Sequence, residues 1–338
     1  MKDVPHPEIS VVVPVYNSEA TLHPLVDRVF AVFDKMDRPG EIIFVDDGSQ
    51  DRSWSVIEEL STGAPDAISA VRLMRNFGQH NALMCGFHLV RGKIVVTIDD
   101  DLQNPPEEIP KLVAALEAEA LDLVYGDFYE KMQAGWRNAG SQLVAAFYRY
   151  VFGHGTRPSS FRAFRSDILP SLLEYNLNFT YVDGLLNWST TRIGSVPVLH
   201  EARQTGQSGY SLGKLILLAI NLFTNFSILP LQLVSIFGIA FATLGFLGAV
   251  FYFVQYALGG IDVPGFATVV IVLLITGGVQ MLALGIIGEY LGRLHLNVNR
   301  KPQFVIREIR GADDRDVTFA GPGRSSSWHR ISERLQKN

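Results

Sequence analysis

Residues 94–108 read IVVTIDDDLQNPPEE: an apolar run with the composition of a buried strand, followed at once by three adjacent aspartates. Neighbouring carboxylates repel one another, so their placement at the end of a strand calls for positive charge nearby. In extended chain alternate side chains point the same way. Asp99, Asp101 and Gln103 therefore share one face, and Asp100 points to the other. Hard divalent cations take oxygen ligands, usually one or two carboxylates completed by substrate phosphates. Asp99 and Asp101, with Gln103 beside them, have the chemistry to hold Mg²⁺ or Mn²⁺ against a nucleotide diphosphate. A plainer reading stands beside it: Asp101 or Asn104 caps a helix starting at Pro106, with Glu107 and Glu108 complementing its dipole.

Outward from this stretch, strand and helix signals alternate, as in an α/β sheet with crossover helices. Strands are expected at 9–15 (ISVVVPV), 41–47 (EIIFVDD), 67–73, 93–99 and 121–126, and helices at 19–36, 52–60, 80–90, 106–119 and 139–152. Both acidic clusters fall at the C-terminal ends of strands, the edge where open α/β sheets bind ligands. VDDGSQD (45–51) is the second cluster. Asp46 or Asp47 suits a nucleobase N–H or a ribose hydroxyl; equally, this is an Asp-Gly turn with Asp51 capping the next helix.

The 338 residues are 48% hydrophobic, with mean hydropathy +0.18, and the excess is concentrated. Between Leu215 and Gly292 the only charged side chains are Asp262 and Glu289. Segments 231–258 and 266–291 are each long enough to cross a hydrocarbon core of about 30 Å, joined by the short turn GGIDVPG. Residues 212–229 read as an amphipathic helix lying in the interface. The expected organisation is a catalytic domain at 1–211, the interface helix, a transmembrane hairpin within 230–292, and a tail at 293–338. Lys214, Arg293, Arg300 and Lys301 flank the hairpin, while its turn holds only Asp262, which places the soluble domain in the cytoplasm. The net charge of −5 argues against a nucleic-acid partner, and Cys85, the only cysteine, allows no intrachain disulfide. No signal-peptide pattern opens the chain.

No G-x-G-x-x-G follows the first strand, which removes the dehydrogenase reading, and no P-loop is present. Instead SVVVPVYNSE, VDDGSQDRS, RNFGQHNALMCGF and IDDDLQNPPEEIP, in this order, resemble glycosyltransferase family 2. TNFSILPL (224–231) and GIIGEYLGRL (285–294) narrow the resemblance to the polyisoprenyl-phosphate glycosyltransferases, over about residues 8–310. That group contains dolichol-phosphate mannose synthases and bacterial enzymes loading glucose or aminoarabinose onto undecaprenyl phosphate. RNFGQH and TNFSILPL lean toward the two bacterial branches.

The resemblance implies a GT-A (Rossmann-like) α/β mixed-sheet domain, followed by the interface helix and the two-helix hairpin, in the bacterial inner membrane. It implies inverting transfer of one sugar from a nucleotide sugar, UDP-linked by preference, to a polyprenyl phosphate. Pro14, Tyr16, Asp46 and Asp47 match donor-binding positions; Asp99, Asp100 and Asp101 with Gln103 match the D-x-D-x-Q region for metal and diphosphate. Arg203 matches an arginine that closes over the donor, and Arg137, Arg162 and Arg165 match basic positions for the acceptor phosphate. Asp101, Arg203 and Arg162 are the expected catalytic residues. A homo-oligomer is left open, and so is the alternative of an inactive, membrane-tethered nucleotide-sugar-binding or scaffold protein. Three positions depart from the pattern: Ser18 replaces a glutamate of PVYNE, Gly209 a frequent lysine, and Ser160 an acidic residue before Phe161-Arg162.

Overall fold

The computed structural model describes residues 6–128, 158–175, 177, 180–201, 229–258, 265–298 and 302–311. The chain divides into two units, residues 1–207 with 302–338, and residues 208–301. The expected helix 139–152 and interface helix 212–229 fall almost wholly outside the described residues, the latter except for Leu229.

In the first unit, β1 (Ile9–Val15), β2 (Gly40–Asp46), β3 (Ile68–Leu73), β4 (Ile94–Thr97), β5 (Leu123–Phe128), β6 (Arg162–Arg165), β7 (Ile193–Val198) and β8 (Ile306–Arg310) form one sheet in the order β7-β5-β6-β4-β1-β2-β3-β8. β1 pairs in parallel with β2 and β4, and β2 with β3; β6 is antiparallel to β4 and β5, and β8 to β3. Helices α1 (Leu22–Met36), α2 (Ser53–Gly63), α3 (Gln79–Phe87), α4 (Ile109–Ala118), α5 (Leu169–Leu173) and α6 (Val182–Ser189) cover it. The unbroken apolar strands follow from burial on both faces. Val11, Val13, Val15, Ile42 and Phe44 join one core layer with α1, α2 and α4; Val12, Ile43 and Val45 join the other with α3, α5 and α6.

The chain runs β1-β2-β3 to one side of β1 and then crosses to β4 on the other, which creates a switch point at the carboxyl ends of β1 and β4. Pro14 opens that seam. Val12 turns its carbonyl toward β4, accepting from Ile98 N at 3.3 Å, so Pro14, two residues on, faces the same neighbour and has no N–H to offer. The β1/β4 ladder stops at Val12 opposite Thr97, whereas the β1/β2 ladder continues to Val15 opposite Asp46.

β6, β7 and β8 lie outside the expected strands, and the first helix and the tail also differ from expectation. The first helix begins at Leu22 rather than at residue 19, because Ser18 and Glu19 are tied by backbone bonds to Ser53 and Asp51 of the neighbouring loop. The segment expected as tail contains β8, which returns to the sheet edge beside β3. Just before β8, the Gln303 side-chain amide donates to Tyr175 O, Leu177 O and Thr180 Oγ1 at 3.0–3.1 Å, and the Phe304 ring lies 6.0 Å from that of His88.

Burial pushes the His88 imidazole down to about 4. The folded state therefore favours the neutral ring. The stability this contributes is complete above the unfolded value near 6.5 and is lost as pH falls through the window from there to about 4. Between pH 7.5 and 4.5 the wild type should lose on the order of 2–3 kcal/mol relative to His88→Gln. Urea midpoints of the two proteins at both pH values check this; equal losses would show that His88 is not strained by protonation.

The second unit contains α7 (Leu229–Ala257) and α8 (Phe266–Val298). Among the described residues one stretch, Ile275–Gly292, is long and apolar enough to cross a membrane, and none of it is buried. On α7, Ile236, Phe237, Ile239, Phe246 and Leu247 are also more than half exposed. Continuous apolar exposure on this scale marks a surface that meets lipid or protein.

Candidate active site

Three loops converge at the carboxyl edge around the seam. The loop after β1 presents the Tyr16 side chain, 44% exposed, and its backbone N–H donates to Asp100 Oδ2 at 3.0 Å. Asn17 takes a left-handed φ of 55° and locks this loop to the next: its N–H donates to Ser49 Oγ at 3.0 Å, and its Oδ1 accepts from Gln50 N at 2.8 Å. Glu19 adds to the lock by accepting from Arg52 N at 2.9 Å, so Ser18 and Glu19 both act through the second loop.

In that second loop, Asp46 Oδ1 accepts from Ser49 N at 3.1 Å, and Arg72 Nε stands 3.5 Å from the buried Oδ2, which has no hydrogen-bond partner. Asp47 accepts from the backbone N–H groups of Phe77 and Gly78 at 2.7 and 2.8 Å. Burial raises both carboxyls above their ordinary values, against the pull of these bonds. Gly48 has a φ of +75°, and a Cβ there would lie 2.7 Å from the Arg75 backbone, so only glycine closes the turn. These contacts are those of the turn-and-cap reading of VDDGSQD. Asp51 binds Ser53 N and Oγ as a helix-start acceptor, while Asp46 and Asp47 sit almost fully enclosed and brace the loops.

The third loop carries the aspartate triplet. Asp99 Oδ1 accepts from Gln79 Nε2 and Oδ2 from Ser160 Oγ, each at 2.6 Å. Burial raises the Asp99 carboxyl and the charge of Asp101 adds to the rise; Ser160, Arg162 and Gln79 oppose it. Burial likewise pushes Asp100 up to about 6. Asp101 Oδ1 accepts from Gln103 N at 3.1 Å, forming an Asx turn. Leu102 is held at φ 61°, a conformation costing about 1–3 kcal/mol, with its side chain buried in the core. Neither Asp101 nor Asn104 caps the short 3₁₀ turn Pro106–Glu108: that turn has no side-chain cap, and Asn104 Oδ1 is buried without a partner.

Among the described residues no group of three or more His, Cys, Asp and Glu is arranged to hold a metal. The D-x-D-x-Q residues nevertheless suit a hard cation. Their donors are all oxygens, and the like-charge pressure of Asp101 on Asp99 is what a cation would relieve. Substrate oxygens or water would have to complete such a shell.

The arginines divide. Arg137 and Arg203 lie outside the described residues. Arg162 does not face an open cleft: it is 1% exposed, pairs with Asp183, and donates from Nε to Thr97 Oγ1 at 3.0 Å. Arg165 donates to the carbonyls of Leu116, in the last turn of α4, and Leu121, just beyond it, so its guanidinium caps the helix end. Both arginines expected to meet a phosphate are thus engaged with protein partners. Gln79, Ser160, Thr97 and Asp183 complete the site; the sequence marked Ser160 only as a departure from the family pattern and did not select the other three. Gln79 had a signal in FGQHNA, at the start of α3; Asp183 had none, because its role exists only where α6 meets Arg162 of β6. His80 is structural: its Nδ1 accepts from Val182 N at 3.4 Å and its ring packs edge-on against Tyr181, with burial lowering its pKa.

The glycosyl transferase family 2 profile matches residues 10–173. An undecaprenyl-phosphate 4-deoxy-4-formamido-L-arabinose transferase from Edwardsiella ictaluri is 37% identical over 313 residues, covering 91% of this chain and 96% of its own. The chain belongs to glycosyltransferase family 2. A Pseudomonas aeruginosa protein of the same name is also 37% identical, over 91% of this chain and 92% of its own. Among solved structures, glucosyl-3-phosphoglycerate synthase from Mycobacterium tuberculosis, crystallised with Mn²⁺, UDP and phosphoglyceric acid, is similar with a TM-score of 0.48. Its identity is 22%, over 64% of this chain and 76% of that one. The seam of this family 2 glycosyltransferase is the edge of a mixed α/β sheet, with its acidic turn at the switch point.

Proposed function

We propose that this glycosyltransferase transfers one sugar, with inversion, from a UDP-sugar to the phosphate of undecaprenyl phosphate, yielding a lipid-linked phosphosugar for envelope modification. The observation that carries the reading is the convergence of Tyr16, Asp47 and the Asp99–Gln103 turn at the seam opened by Pro14, in a chain whose full-length relatives bear undecaprenyl-phosphate transferase names.

Tyr16, with Pro14, Asp46 and Asp47 behind it, forms the nucleoside side of the site. Asp99, Asp101 and Gln103 would hold Mg²⁺ or Mn²⁺, with Asp100 fixing the Tyr16 loop beside them. A bound divalent cation supplies charge neutralisation for the departing diphosphate. Arg203 is assigned to the same diphosphate and Arg137 to the acceptor phosphate. Arg162 and Arg165 shape the wall behind it from β6. The nucleophile is a phosphate monoester, whose second pKa of about 6 leaves it ionised at pH 7. No strong base is required, and Ser160 in place of an acid is compatible with that chemistry. What remains for the protein is to place the phosphate oxygen in line with the anomeric carbon.

The apolar pair α7 and α8 is proposed as a two-span hairpin in the bacterial inner membrane. β7 precedes it and β8 follows it in one sheet, a return that supports an even number of crossings. The basic flanks favour the cytoplasm for that side.

The test is a donor screen. Full-length protein in nanodiscs is given undecaprenyl phosphate, Mn²⁺ and UDP-, GDP- or dTDP-sugars, beginning with UDP-linked 4-deoxy-4-formamido-L-arabinose. Lipid-linked product is expected with a UDP-sugar and not without metal. Nucleotide binding with no lipid-linked product from any donor would overturn the proposal.

A further inference from the structure

Away from the donor-binding loops, one guanidinium joins three parts of the chain. Arg28, on α1, donates from Nε and Nη2 to the two carboxylate oxygens of Glu107 at 2.8 and 2.7 Å, and from Nη2 to Glu201 Oε1 at 3.1 Å. Glu107 lies in the 3₁₀ turn that follows the D-x-D-x-Q stretch, and Glu201 lies two residues before Arg203. Main-chain bonds join the same two segments: Glu201 N donates to Gln103 O at 2.8 Å, and Leu199 N to Glu108 Oε2 at 3.2 Å. The exit of β7 is therefore stitched to the acidic turn, and Arg28 clamps the seam from outside.

The geometry points to Arg28 as a positioning residue for the sugar nucleotide: through Glu107 and Glu201 it fixes the start of the segment carrying Arg203 against the turn carrying Asp101 and Gln103. This rests on the reading above that Arg203 meets the donor diphosphate. Stability alone does not account for the arrangement. Glu107 and Glu201 are 53% and 44% exposed, and pairs so exposed add little to folding. A bidentate arginine fork does, however, fix direction as well as distance. By satisfying both acids Arg28 thereby sets where the chain leaves the sheet, and small misplacements of a catalytic segment are costly in rate and binding.

A double-mutant cycle on the full-length protein tests this. UDP affinity with Mn²⁺ is measured by titration calorimetry for wild type, Arg28→Gln, Arg203→Gln and the double variant, with the thermal midpoint as a control. Arg28→Gln should weaken UDP binding about tenfold with an unchanged midpoint, and should add nothing once Arg203 is glutamine, because groups acting through one contact are not additive. Glu201→Ala, which removes the acceptor itself, should reproduce the loss and keeps the test decisive if Arg28→Gln folds poorly. Independent, multiplying effects, or wild-type affinity in both Arg28→Gln and Glu201→Ala, would overturn the inference alone. Wild-type affinity in Arg203→Gln would instead remove the donor role of Arg203 on which it rests.

Discussion

Replacing Asp101 with asparagine is expected to cut sugar transfer by about 10²–10³-fold while the protein stays folded, the scale on which loss of one preorganised charge-stabilising group acts. Asparagine keeps the Oδ1 acceptor that closes the Asx turn on Gln103 N, so the loop geometry survives and only the negative charge is lost. The charge is what the proposed cation needs, and it is also what presses on Asp99. Initial rates at increasing Mn²⁺, read beside the thermal midpoint, separate the two consequences. A variant with wild-type rate would remove the metal-and-diphosphate reading of this turn.

Asp183→Ala has the largest expected effect on stability. It leaves the Arg162 guanidinium, almost completely buried, without its counter-charge. Breaking such a pair from one side costs about 3–5 kcal/mol, because the remaining charge stays desolvated and unpaired. Removing both charges together is far milder when apolar groups of similar volume replace them. Arg162→Met with Asp183→Leu should therefore recover most of the stability lost in the single variant, as urea midpoints would show. The double variant also decides the role of Arg162. Retained transfer would make it a support of the β6 wall, whereas a stable but inactive protein would return it to the acceptor phosphate.

The parallel half of the sheet was legible because every strand of it is covered on both faces, leaving apolar runs such as ISVVVPV and EIIFV that admit little else. The acidic turns were legible for a related reason: carboxylates placed directly after buried strands are costly without a ligand or partner to meet them. β6, β7 and β8 were not foreseen. β6 and β8 carry charged residues at both ends or through the middle (RAFR, IREIR), and β7 is half-exposed, so none shows the apolar run that marks a central strand. Their pairing is supplied by neighbours distant in sequence, as when Arg310 aligns with Ala70.

The arginines show the limit most directly. As sequence, Arg162 and Arg165 are basic residues beside a glycine- and serine-rich segment, suited to a phosphate; in the fold, one meets Asp183 and the other the carbonyls at the end of α4. Charge and hydrogen-bonding capacity belong to the residue and can be read from the chain. What satisfies them depends on which elements pack nearby, and for Arg162 that was settled only when α6 crossed β6. The sequence by itself determined the sheet's parallel core, the acidic edge and the apolar pair of helices, because burial and local repulsion constrain composition directly. Tertiary structure alone decided which polar groups face the seam and which are spent on holding it together, since that choice is made by contacts between segments tens of residues apart.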